Sequence, residues 1–274
     1  MKVKVLSDLH IEFQKSGDLD FDPGTGEVLI LAGDICDAAA FIQRCDVDLK
    51  DRYLRFFERC AAGYDKVYYV MGNHEHYNGF FSETVNILRE NLPEGITILD
   101  NQSEFYKGWH FVGATMWSDF GKEDPQCMDN AEGGLNDYQY IYTDRIQRNN
   151  PADFTRLENI NAKYILAEHK NTIAWFDQCL KTLNGPVFVI THHCPSFQSI
   201  DEDYTGSDVV TAYASDLTRL IQKNPNVRMW SHGHVHSSKL YKVGNCTVLS
   251  NPKGYPGKGG NPNFKWDFAL DLPN

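Results

Sequence analysis

Short apolar runs, each broken off by a polar turn, recur along the chain and set its rhythm. Residues 3–6, 28–32 and 67–71 are too short for helices and read as buried strands. The runs at 96–99, 109–116, 187–190 and 227–230 repeat the pattern. Between them the apolar period lengthens. Residues 49–62 place Tyr53, Leu54, Phe56, Phe57 and Cys60 at helical spacing, which predicts a helix. Further helices are predicted over 80–92, with Ser82 as N-cap and Pro93 past the end, over 157–183, and over 215–222 with Ser215 as N-cap. Residues 239–243 and 247–249 flank Gly244-Asn245 and read as a hairpin, and 264–270 as a last strand.

Residues 117–159 break the rhythm. They are polar and rich in Asn and Asp, with aromatic residues at Phe120, Tyr138, Tyr140 and Tyr142. Irregular segments of this length are usually functional, so a lid or mobile insertion is expected over a plain surface loop.

The length of 274 residues suits one large α/β domain with insertions or two small domains, and neither a linker nor an internal repeat marks a boundary. A net charge of −11 argues against long nucleic acid as a partner, because that binding relies on Lys and Arg neutralising phosphates. A metal cluster would still make a local positive patch for an anionic substrate. Seven cysteines, an odd number without a C-x-x-C pair, read as reduced thiols and not as a disulfide framework. No apolar run reaches transmembrane length, and the first residues lead directly into a polar motif instead of a signal segment. A cytoplasmic protein without a membrane partner is expected.

The chemistry gathers where the strands end. Five motifs follow apolar runs in order: Asp8-Leu9-His10, Gly33-Asp34-Ile35-Cys36-Asp37, Gly72-Asn73-His74-Glu75, Thr191-His192-His193 and Gly233-His234-Val235-His236. In extended backbone, residues i and i+2 point to one side, so Asp8 with His10, and His234 with His236, are expected to face one cation. Asp34 has two carboxylate oxygens and is able to bridge two cations. Adjacent strand residues point opposite ways, so one of His192 and His193 is expected to be a ligand. Asp37 reads as a helix cap or as a group behind the ligands. His76 and His232 read as neighbours of the cluster or as surface residues. Any one motif is weak, and each has an ordinary turn or capping explanation. The ordered set is specific.

This order resembles the calcineurin-like metallophosphoesterase superfamily, whose pattern is D-x-H, G-D-x-x-D, G-N-H-[ED], a strand-end His and G-H-x-H. All five occur between Asp8 and His236. The resemblance implies a four-layer αββα sandwich. It implies that Asp8, His10 and His236 hold one metal, that Asn73, His192 and His234 hold another, and that Asp34 bridges them. His74 matches the catalytic histidine and Asp37 the carboxylate that pairs with it. His192 is taken as the ligand of its pair because the family places one directly after the strand. The implied reaction is hydrolysis of a phosphate ester by a hydroxide held between two metals, with His74 protonating the leaving oxygen. The nitrogen and oxygen donors suit Mn, Fe or Zn. Small phosphorylated molecules, nucleotides among them, are the expected substrates. Ala38-Ala39 stands where protein phosphatases often carry Arg-Gly, which disfavours that alternative, and the acidic charge disfavours a nuclease. A binding module that has lost its chemistry is the third alternative, but no ligand is missing. Specificity is expected to reside in 117–159 and in the 251–258 loop, where Lys253 and Lys258 are candidates for a distal phosphate.

Overall fold

Two sheets stand face to face because their strands are apolar on both sides. The computed structural model describes residues 1–14, 22–42, 47–143, 157–257 and 260–273. The strands are β1 (Lys2–Leu6), β2 (Gly26–Ala32), β3 (Tyr64–Val70), β4 (Ile96–Ile98), β5 (Gln102–Tyr106), β6 (Trp109–Ala114), β7 (Val187–Thr191), β8 (Val227–His232), β9 (Lys239–Val243), β10 (Cys246–Ser250) and β11 (Ala269–Asp271). The first sheet has the order β11-β1-β2-β3-β4, parallel except for β11 at its edge. The second has the order β5-β6-β7-β8-β10-β9, with antiparallel β5 and β9 on its two edges.

Alternation along each strand divides the core. Leu29 and Leu31 of β2 face outward onto Tyr53, Phe56 and Phe57 of the helix Val47–Gly63. Val28, Ile30 and Ala32 face inward, where they join Phe111, Phe188 and Ile190 of the second sheet. On that sheet's outer side Val187 and Val189 pack with Phe176 and Leu180 of the helix Ala162–Thr182. Three apolar interfaces thus separate four layers: helix, sheet, sheet, helix. Each large side chain fully buried this way contributes about 1.5–3 kcal/mol.

The parallel order has one consequence for chemistry. β1, β2 and β3 run the same way, so their carboxyl ends share one edge of the first sheet. β7 and β8 do the same in the second sheet. The two edges are joined where His192 Nδ1 meets the Ala32 carbonyl at 2.9 Å.

Several predicted details change. The helix over 80–92 begins as a 3-10 turn, Phe81–Glu83, before Thr84–Asn91; its cap position is Glu83, without a side-chain cap bond, and not Ser82. Ser215 does not cap a helix either: the helix is Thr218–Lys223, and Ser215 Oγ accepts the Asp119 N–H. The last strand is shorter than 264–270, because Asn251 binds the Lys265 backbone on both its N–H and its C=O and holds it out of the sheet. β5 was not predicted; its sequence is polar at an exposed edge.

The described part of 117–159 is folded. Four consecutive left-handed residues, Phe120 to Glu123, make a tight turn. The helix Pro125–Gly134 follows, capped by the Asp124 carboxylate. Trp117, Phe120, Ala131, Ile141 and Ile165 form a core of their own with their neighbours. Residues 144–156 lie outside the described residues. Cys36, Cys60, Cys127, Cys179, Cys194 and Cys246 are free thiols, and Cys45 is outside the described set. No helix among the described residues is long and apolar enough to cross a membrane.

Candidate metal centre

Each motif turns sharply as its strand ends. Asp8, His10, Asp34, His234 and His236 all have left-handed backbone, with φ of 51, 47, 55, 71 and 48°. The side chains of Asp8 and His10 therefore converge through kinks and not through the extended backbone that the i, i+2 spacing suggested. Strain of this kind costs on the order of 1–3 kcal/mol per residue and persists only where surroundings enforce it. Here the enforcing bonds run between motifs: Asp8 N–H to Gly33 O at 2.9 Å and His10 N–H to Asp34 O at 3.0 Å. The motif glycines are needed for close approach. A Cβ on Gly33 would collide with the His192 ring, on Gly72 with Asp34 Oδ1, and on Gly233 with Asp8 Oδ2.

The seven expected ligands come together. Asp8, His10, Asp34 and His236 offer donor atoms within 4.8 Å of one another, and so do Asp34, His192 and His234. Asn73 Oδ1 is 3.1 Å from His192 Nε2. Asp34 Oδ2 lies between the groups, 3.7 Å from His10 Nε2 and 3.3 Å from His192 Nε2.

The donors fit cations. His192 gives its Nδ1 proton to Ala32 O and His10 gives its Nδ1 proton to Glu12, at 3.0 Å. Both Nε2 lone pairs are thereby aimed inward, as is usual behind a metal-bound imidazole. His10 Nε2 then faces His236 Nε2 at 3.0 Å, and His192 Nε2 faces His234 Nδ1 at 3.2 Å. Lone pairs held that close repel unless positive charge lies between them. Asp8 Oδ2 is buried without a hydrogen-bond donor among the described residues, which an ionised oxygen does not tolerate without a cation or proton.

Without a cation the centre holds protons instead. Burial opposes charge on His192, but the Asp34 and Asp8 carboxylates outweigh it and raise its pKa to about 10. Burial also opposes charge on His74, and Asp34 with Glu12 raises it to about 9. Burial works against ionised Asp8 too, yet His236 beside it holds the carboxyl below its usual range.

His74 differs from its expected surroundings. Its Nδ1 meets Glu12 Oε1 at 2.9 Å and its Nε2 meets Tyr255 Oη at 3.1 Å. Glu12, not Asp37, is thus the carboxylate on its ring. Asp37 is taken up locally, where its side chain accepts the Ala40 N–H at 2.9 Å and caps the turn Ala38–Phe41. His193 is beside the cluster, its ring 4.3 Å from that of His234. His76 stacks on Phe81 and bonds Thr84, and His232 bonds Ser199.

Four further residues shape the site. Glu12 is two residues beyond His10, so the Asp8, His10, Glu12 spacing was the available signal. Glu75 is fully buried and accepts the N–H groups of Asp34, Ile35 and Gly72 and the Tyr69 hydroxyl. Burial, together with the charge of Asp34, raises its pKa to about 7. Asp137 binds Asn73, and Tyr255 covers His74; neither lies near its partner in sequence. A cleft of ≈ 620 Å³ opens on Asp34, Asn73, His234 and His236, walled by Tyr77, Tyr204, Tyr213 and Tyr255. Gly254 and Tyr255 bring the 251–258 loop to this cleft. Lys253 is half-buried, which lowers its pKa, and Lys258 is outside the described residues.

Comparison with known proteins shows the family and the fold. A family model described as calcineurin-like phosphoesterase matches residues 1–238. An uncharacterised protein, L509 of Acanthamoeba polyphaga mimivirus, is 26% identical over 290 residues, spanning 95% of this chain and 94% of its own. The crystal structure of phosphopantetheinyl hydrolase (PptH) from Mycobacterium tuberculosis superposes with a TM-score of 0.67. It is 15% identical, with 94% of this chain and 91% of that one covered, a likeness of fold.

Proposed function

This chain belongs to the calcineurin-like phosphoesterase family and is a metal-dependent phosphoesterase, and from that premise we propose that it hydrolyses small phosphorylated molecules, nucleotides among them, at a two-cation centre. The observation that carries the two-cation reading is the position of Asp34 Oδ2 between His10 Nε2 and His192 Nε2. Asp8, His10, Asp34 and His236 would hold one ion, and Asp34, Asn73, His192 and His234 the other. Such ions, when bound, supply water acidic enough to attack phosphorus near neutral pH and positive charge for the phosphoryl oxygens. The mixed nitrogen and oxygen donors suit Mn²⁺, Fe or Zn²⁺.

The protein's own groups then have distinct tasks. Glu12 accepts hydrogen bonds from the Nδ1–H groups of His10 and His74, which fixes both rings. His74 is kept protonated by the carboxylates around it and gives its Nε2 proton toward the leaving oxygen. The Tyr255 hydroxyl, next to Nε2 and lining the cleft, would relay it: the phenol gives its own proton to the leaving oxygen and takes the one on His74 Nε2 in its place. The cleft is of a size that takes a small molecule, and its tyrosines give a nucleoside or aryl group surfaces to stack on. The segment 117–159 contributes Leu135, Asn136 and Asp137 to the wall, which supports a role in specificity. The test is a product screen over nucleotides, cyclic nucleotides, sugar phosphates and nitrophenyl esters with Mn²⁺ supplied. Turnover of small esters that stops on chelation is expected; no hydrolysis of any ester by the metal-loaded protein would refute the reading.

A further inference from the structure

Asp137 comes from the 117–159 segment, at the start of the short helix Asp137–Tyr140, yet it is 6% exposed and lies against the metal-binding cluster. Its Oδ1 accepts Asn73 Nδ2 at 2.8 Å and Tyr77 Oη at 2.7 Å. An amide is nearly symmetric in shape but not in chemistry, since half a turn exchanges its donor for its acceptor. An ionised carboxylate only accepts, so Asp137 can receive the NH₂ end of Asn73 and not the oxygen. That choice turns Asn73 Oδ1 to the other side, where it is 3.1 Å from His192 Nε2. A flipped amide would aim N–H groups at the cation's place and set its oxygen against a carboxylate. The same oxygen of Asp137 holds Tyr77, whose ring lies flat on His74 at 4.3 Å and 24°.

We propose that Asp137 is a positioning residue: it orients Asn73 as a ligand, so that the helix Asp137–Tyr140 completes the Asn73, His192 and His234 site. This rests on the two-cation reading. A purely structural acid at this place would support both ions alike, through the fold, whereas an orienting acid supports one.

The experiment titrates Mn²⁺ into the metal-free native protein and into Asp137→Leu and Asp137→Asn, reading ions bound per chain and the affinity of each. Native protein should take up two. In Asp137→Leu one ion should weaken by about 10–100-fold, the usual loss when a group behind a ligand is removed, while the other keeps its affinity. Asp137→Asn keeps an acceptor oxygen and should recover most of the loss. Adding His236→Ala to Asp137→Leu should then abolish tight binding, which assigns the weakened ion to the Asn73 group. Unchanged binding of both ions in Asp137→Leu overturns the proposal, and so does equal weakening of both, which would mark a residue that serves only the fold. A native protein that binds a single ion refutes the two-cation reading, and this inference with it, before any variant is compared.

Discussion

His74 has a carboxylate on one ring nitrogen and a phenol on the other, and this arrangement determines what its removal should do. A proton donor matters most to a leaving group that is a poor anion. His74→Asn should therefore lose roughly 10²–10⁴-fold on an alkyl phosphate ester, and distinctly less on a nitrophenyl ester, with metal content unchanged. Equal losses on both would mean that His74 stabilises the phosphoryl oxygens and does not donate a proton. Asp34 and, after it, Glu12 set the pH at which the donor fails. The pKa of His74 is raised to about 9, so its proton is present below that value and lost as pH rises through it. Bound cations offset the charge of Asp34 and bring this limb lower. Removing the Glu12 charge lowers it further, so Glu12→Gln should shift the alkaline limb of the alkyl-ester pH profile to lower pH. Asp37→Asn, which alters a local cap, should leave that limb in place. A limb that moves with Asp37 and not with Glu12 would reverse this assignment.

The loops after β2 and β3 are held together as elements by one side chain, Glu75. Its carboxylate accepts Asp34 N–H at 3.0 Å, Ile35 N–H at 2.7 Å, Gly72 N–H at 2.6 Å and Tyr69 O–H at 2.6 Å. Truncation leaves these donors buried and unpaired, at about 1–3 kcal/mol each. Glu75→Ala should lower urea-unfolding stability by several kcal/mol, and Glu75→Gln, which keeps one acceptor oxygen, by less. Equal stability of Glu75→Ala and native protein would show that water replaces the carboxylate. The candidate ligands were legible in the sequence because each lies within a few residues of a strand end, and the parallel order brings those ends together. What acts behind them was harder to read. Asp137 and Tyr255 reach partners 64 and 181 residues away, which no local spacing displays. Asp37 was misassigned to His74 because a nearby N–H, that of Ala40, competes for a short carboxylate. Ser82 is not a cap because it lies inside the 3-10 turn ahead of its helix, and Ser215 is not one because its hydroxyl is taken by the distant Asp119 N–H. The polar segment 117–159 gave little sign of its own core, since Trp117, Phe120, Ala131 and Ile141 are too widely spaced to show a period.

For the whole molecule, the proposed metal binding would be linked to stability, because the candidate ligands come from the strand ends of both sheets and are brought together by the fold. Mn²⁺ at a hundred times its dissociation constant should stabilise the protein by about 2.7 kcal/mol, seen as a rise in Tm that chelator reverses. Asp34→Asn should shrink that rise more than loss of any one histidine, because Asp34 serves both ligand groups. The effect should also depend on pH, with a defined sign. A histidine must shed its proton before it ligates, and His192 holds its proton up to about 10 in the metal-free centre. Cation binding therefore releases protons, and acid competes with it. The Mn²⁺-induced rise in Tm should be large at pH 8 and fall away toward pH 5.5, measured by thermal unfolding with and without the ion at each pH. A rise of the same size at both values would mean that the ion binds carboxylates elsewhere and not the imidazoles at the strand ends.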